Sequence, residues 1–224
     1  IPTSMVGLMS TNALDYLFLR KYSGLAELGV YALGVQISGL VQQVPLIAGE
    51  LTTPRFVKYR LNQDDSAFNH FIQKQLRFIF WIWSFCCLAG AVGVAFAGPR
   101  IIPDKYQVLC QLVWPLAAVT SIVPVWYIVW TPLLTAFERV RVVMWSSVAT
   151  GIMNILMNFL LIPRFGLIGC AWATVISYAT TCLFAEFWVQ FTKDSLIPRR
   201  GIHLYMPSAT LILLIFLIHF TLLS

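Results

Sequence analysis

The residues best placed to do chemistry are polar side chains set inside long apolar runs. Asp15 follows Thr11 and Asn12 at helical spacing, so the three share one face of a helix. A carboxylate in an apolar span must be paired, hydrated or protonated, because burying an isolated charge is unfavourable. Gln36, Gln43 and Glu50 recur every seven residues, with Gly39 on the same stripe. Ser147, Gly151, Asn154 and Asn158 are spaced by four, three and four, as are Cys170, Thr174, Ser177 and Thr181. Each set can either line a polar cavity or serve close helix packing, as small and weakly polar residues do in membranes. The cysteine–threonine–serine set reads mainly as packing. Asn12, Asp15, Gln36, Gln43, Asn154 and Asn158 are the candidates for lining a substrate cavity. Asp15 has a plain alternative, an interfacial ion pair with Arg20 or Lys21.

Catalytic chemistry is thinly represented. His70, His203 and His219 are isolated and lack metal-ligand spacing. The sequence has no GxSxG, Walker or HExxH motif. The cysteines, Cys86, Cys87, Cys110, Cys170 and Cys182, form no spaced metal motif and read as small core residues. The chain is therefore expected not to be an enzyme and to use no metal or cofactor.

The elements that must carry these side chains follow from composition. Of 224 residues, 59% are hydrophobic and 11% charged, and the mean hydropathy is +0.79. A soluble domain carries about 25% charged residues, so a soluble enzyme, a nucleic-acid binder and a disordered chain are disfavoured. Seven runs approach the roughly 20 apolar residues that a span requires: Ile1–Leu19, Val30–Leu51, Phe78–Ala97, Val108–Leu134, Val140–Ile162, Ile168–Phe191 and Tyr205–Leu223. Gly98-Pro99 with Asp104-Lys105, and Pro163 to Gly166, mark tight turns between antiparallel neighbours. Pro115, Pro124 and Pro132 predict a kinked fourth run. The long connection 52–77 predicts an amphipathic helix carrying Phe68, Phe71, Ile72, Gln75 and Leu76, either on the membrane surface or as the start of the third span. Trp81, Trp83, Trp126, Tyr127, Trp130 and Trp188 read as interface or packing residues.

Charge gives an orientation. Of the 15 basic residues, ten lie in the second, fourth and sixth connections and five in the first, third and fifth. The positive-inside rule then puts Ile1 in the cytoplasm and Ser224 outside, and it accounts for the net +6 without nucleic acid. Because the chain opens on Ile1, it is expected to be a fragment or a processed chain.

The stretch from Asn154 to Tyr178 resembles the NxxLNxxLIPxxGxxGAAxATxISY signature of Wzx-type polysaccharide (O-antigen and exopolysaccharide) flippases of the MOP superfamily, relatives of the MATE drug exporters. Asn154, Asn158, Pro163, Gly166, Gly169, Ala171, Ala173, Thr174, Ile176 and Ser177 carry the match, supported by Asp15, Gly29-Val30-Tyr31 and Pro54. Cys170 stands where the family usually has alanine, and Pro103-Asp104 stands in a connection where the family commonly has a longer apolar piece. The resemblance implies an all-α polytopic membrane protein of about seven transmembrane helices: the second lobe of a MOP-type transporter over 1–200, with an additional helix over 201–224. The N-terminal lobe would be absent from this chain. The implied function is flipping of an undecaprenyl-pyrophosphate-linked oligosaccharide across the bacterial cytoplasmic (inner) membrane by alternating access. Membrane lipids and other polysaccharide-assembly proteins are further candidate partners. Arg55 and Arg139, at the cytoplasmic mouth, could attract the pyrophosphate headgroup, or simply record topology. The alternatives are a cation-coupled multidrug exporter of the same superfamily and a membrane glycan polymerase or ligase. The polymerase or ligase would show a large external loop with clustered Arg, His or Asp, whereas the longest connection here is on the predicted cytoplasmic side.

Overall fold

A computed structural model describes residues 12–62 and 65–191. Regular structure among the described residues is entirely helical: α1 (Asn12–Tyr22), α2 (Leu25–Asn62), α3 (Asp65–His70), a π-helix (Phe71–Leu76), α4 (Arg77–Ile101), a 3-10 turn (Asp104–Tyr106), α5 (Val108–Pro124), a second π-helix (Val125–Trp130), α6 (Thr131–Ala136) and α7 (Val140–Phe191). Among the described residues, four stretches are long and apolar enough to cross a membrane: α2, α4, the continuous run Val108–Ala136, and α7. The chain thus has the build of a membrane bundle. Of the seven expected spans, the first is described only from Asn12 onward, and the seventh, Tyr205–Leu223, lies outside the described residues.

α7 is two helices in one element. Gly166 has φ 53° and ψ −132°, values open to glycine and strained for other residues. The chain doubles back there, because the Thr150 and Thr181 hydroxyls meet and a Cβ at Gly169 would collide with the Leu161 carbonyl. This is the hairpin expected from Pro163 to Gly166. Another tight turn joins α1 to α2, where Gly24 (φ 89°) follows Ser23 and both amide N–H groups bond the Leu19 carbonyl at 3.1 and 2.8 Å.

Three expected boundaries shift. α2 begins at Leu25 instead of Val30 and runs on to Asn62 through the supposed connection. Its 38 residues span about 57 Å, against about 30 Å of hydrocarbon, so its polar last turns extend well past the apolar stretch. Gly98-Pro99 does not end α4; the helix stops at Ile101, because Ile102 precedes Pro103 and is driven to an extended backbone (φ −84°, ψ 127°). The segment 65–76 is helical and continuous with α4, and Phe68, Phe71, Ile72 and Leu76 are buried in the same cluster as Phe56.

The fourth run accommodates Pro124 and Pro132 through side chains of neighbouring helices. Pro124 has no N–H for the Thr120 carbonyl, and the Trp83 indole N–H donates to it at 2.8 Å. Pro132 likewise leaves the Ile128 carbonyl, which accepts from the Thr52 hydroxyl at 2.9 Å. α2 can approach this closely because residue 49 is glycine; a Cβ there would strike the Tyr127 carbonyl. Between Pro124 and Thr131 the run passes through the π-helix Val125–Trp130. Trp126 and Trp130 are buried in packing, while Trp81 and Trp188 are exposed.

The turns sort to two ends. Glu27 lies beside Gly166 at one end. At the other, the Arg60 guanidinium donates to the Ala136 carbonyl (2.7 Å) and pairs with Glu138 (3.0 Å). The first and fifth connections therefore share an end, and the second and fourth share the opposite one, as alternating spans require.

Candidate functional site

Asp15 is the centre of the most polar buried cluster among the described residues. It is 0% exposed. α1 presents it, with Leu19 one turn on, to the crease between α2 and the two halves of α7. Its Oδ1 accepts from the Asn154 and Asn158 side-chain amides at 3.1 and 2.6 Å. Its Oδ2 accepts from the Tyr31 and Thr174 hydroxyls at 2.8 and 2.9 Å. Asn154 and Asn158 are one helical turn apart, and Asn158 also donates to Asn154 Oδ1 at 3.0 Å. Thr174 is placed by the return half of the hairpin and can also donate to the Cys170 carbonyl at 3.1 Å.

All four donors are neutral. Among the described residues no cation pairs with Asp15, and Arg20 and Lys21 are exposed on the other side of α1. The interfacial ion pair is thus replaced by a buried carboxylate held by neutral hydrogen bonds. The Asn158 side-chain oxygen is also buried and has no partner. The crease therefore gathers amide, hydroxyl and main-chain oxygens around a carboxyl group that has no cationic partner among the described residues. Such a site can hold a proton or a small monovalent cation. Among the described residues no cluster of His, Cys, Asp and Glu could hold a metal through those side chains.

No family model matches the chain. Neither a curated protein nor a solved structure matches it.

Of the expected cavity residues, the structure brings Asp15, Asn154 and Asn158 together. The side chain of Asn12 lies outside the described part. Gln36 and Gln43 do not join them: both are exposed, as is Glu50. The packed face of α2 runs through Tyr31, Gly34, Ser38, Pro45, Gly49, Thr52 and Phe56. Gln36, Gln43 and Glu50 each precede a residue of that face by two positions, about 200° around the helix, so they point away from this bundle. On α7 the inward polar face is Ser146, Thr150, Asn154 and Asn158, while Ser147 and Gly151 are only partly buried. Cys170, Thr174, Ser177 and Thr181 are all buried, as the packing reading requires. Thr174 in addition ligates Asp15.

Arg55 and Arg139 are both exposed. Arg55 lies over the Phe71 ring, 5.5 Å from its centroid. Sequence reasoning missed the contact of Tyr31 with Asp15, although the spacing of small residues along α2 marks the face that carries Tyr31. It also missed Glu186, a buried carboxylate on the last turns of α7.

Proposed function

We propose that this chain is one lobe of a secondary transporter that flips an undecaprenyl-pyrophosphate-linked oligosaccharide to the outer leaflet of a bacterial cytoplasmic membrane. The observation that carries the transport reading is Asp15: a fully buried carboxylate, without a cationic partner among the described residues, inside an apolar helical bundle. An intramembrane charge of this kind is costly and marks an ion or proton pathway. A proton or monovalent cation meeting that charge would bias one arrangement of α1, α2 and the α7 hairpin over another, which is what alternating access requires.

The exposed stripe Gln36, Gln43 and Glu50 supports a second body facing α2. Polar side chains at every second helical turn among exposed Ile37, Leu40, Val44 and Ile47 are ill suited to lipid and well suited to a water-filled cavity between lobes. The glycan substrate rests on the hairpin signature from Asn154 to Tyr178. Arg55 and Arg139 would then sit at the cytoplasmic mouth, where a pyrophosphate headgroup first arrives.

The test is glycan export in cells that depend on this protein, normalised to its membrane abundance. Wild type should restore export, and Asp15→Asn should depress it at least ten-fold at equal abundance. Restored resistance to cationic drugs without any glycan export would favour the multidrug exporter instead.

A further inference from the structure

A small cavity of ≈ 70 Å³ lies between α2, α5 and the return half of α7. Its innermost wall is formed by Tyr31 and Thr174, the two hydroxyls that donate to Asp15 Oδ2. Its other polar walls are Tyr178 on α7 and Ser38 and Gln42, which lie seven and eleven residues beyond Tyr31 on the same face of α2. The Gln42 amide donates to Ser38 Oγ at 3.0 Å, and Ser38 Oγ meets the Thr120 hydroxyl at 3.0 Å.

Burial falls steadily along this line. Tyr31, Ser38 and Thr174 are buried, whereas Gly39, Gln42 and Tyr178 are half-buried. The cavity therefore runs from the Tyr31 and Thr174 hydroxyls, which separate it from Asp15, toward the surface of the bundle. Gly39 sits at the outer part, and a Cβ there would meet no atom within 4 Å. A dry cavity of this size is normally lined by apolar groups; one with several hydroxyl and amide walls takes water, each molecule occupying about 30 Å³ of liquid. The volume has room for about two waters.

We propose that this cavity is a hydrated antechamber through which a proton or small cation reaches Asp15, with Ser38 and Gln42 as its polar lining and Gly39 as its open mouth. The proposal rests on reading Asp15 as an ion or proton site. Gln42, and not the neighbouring Gln43, is then the glutamine of α2 that serves the site from within this bundle.

The test uses the full chain in sealed vesicles, with the five native cysteines replaced by alanine. Ser38→Cys and, separately, Gln42→Cys are exposed to Ag+, a small thiol-reactive cation. The thiols left unreacted are then counted with a maleimide after denaturation. Phe85→Cys, at a 71% exposed position on the apolar outer face of α4, is the control. Both cavity thiols should react at least ten-fold faster than the control, and adding Gly39→Leu to fill the mouth should slow Ser38→Cys at least ten-fold. If one cysteine variant does not accumulate, the other carries the test. Reaction no faster than at Phe85→Cys, or indifference to Gly39→Leu, would overturn the antechamber whatever Asp15 does. If the labelling follows expectation but Asp15→Asn exports normally, the cavity is wet without serving Asp15, and the proposal fails through the site reading.

Discussion

Asp15→Leu should leave the bundle folded, with a loss of stability far smaller than its four hydrogen bonds suggest. If all four donors were stranded, the cost would be about 1–3 kcal/mol for each, or at least about 4 kcal/mol together. The network supplies substitutes. The Tyr31 hydroxyl lies 3.3 Å from Thr174 Oγ1, Thr174 is 3.1 Å from the Cys170 carbonyl, and Asn158 already donates to Asn154 Oδ1 at 3.0 Å. Only the Asn154 amide loses its acceptor outright. One stranded donor costs about 1–3 kcal/mol, and removing an unpaired buried charge offsets part of it. Purified wild type and Asp15→Leu should therefore differ by no more than about 3 kcal/mol in a reversible unfolding or dissociation assay, with similar membrane abundance. A loss of 4 kcal/mol or more would refute this accounting and make Asp15 a structural residue whose variants say nothing about transport.

Other positions give sharper structural outcomes. Thr52→Val should cost about 1–2 kcal/mol, because the Ile128 carbonyl freed by Pro132 loses its donor; denaturation of the purified variant would read this, and an unchanged midpoint would contradict the assignment. Gly49→Ala should be worse than a typical Gly→Ala change, since its Cβ meets the Tyr127 carbonyl. A drop in membrane abundance of several-fold is expected, and wild-type abundance would show that α2 and the π-helix separate easily. Gly166→Val should also lower abundance before it alters substrate choice, because the hairpin needs φ near +53°; normal abundance with selective loss of one glycan would count against a structural role.

The hairpin and its site were the most legible part of the sequence. Asn154 and Asn158 fall one turn apart, Pro163 and Gly166 announce the reversal, and a two-helix hairpin must then bring Thr174 opposite them. Asp15 was singled out by its chemistry alone. What it bonds was not legible, because its partners are 16, 139, 143 and 159 residues away and depend on how α1 docks in the crease. α2 misled for a different reason. A seven-residue recurrence of glutamines is conspicuous, but the packed face is marked by the small residues Gly34, Ser38, Gly49 and Thr52 instead. Polarity alone does not say which side of a membrane helix its own bundle occupies. The helix boundaries shifted because Gly98-Pro99 reads as a stop, whereas the actual stop is the extended residue forced by Pro103.

The most direct measurement is the rate of lipid-linked oligosaccharide flipping in sealed vesicles as a proton or monovalent-cation gradient is imposed. For the wild-type protein, one of these gradients should accelerate flipping, and Asp15→Asn should abolish that response at equal protein content. An Asp15→Asn variant that responds to the gradient as wild type does would contradict the account at its centre, since the buried carboxylate would then have no part in driving transport.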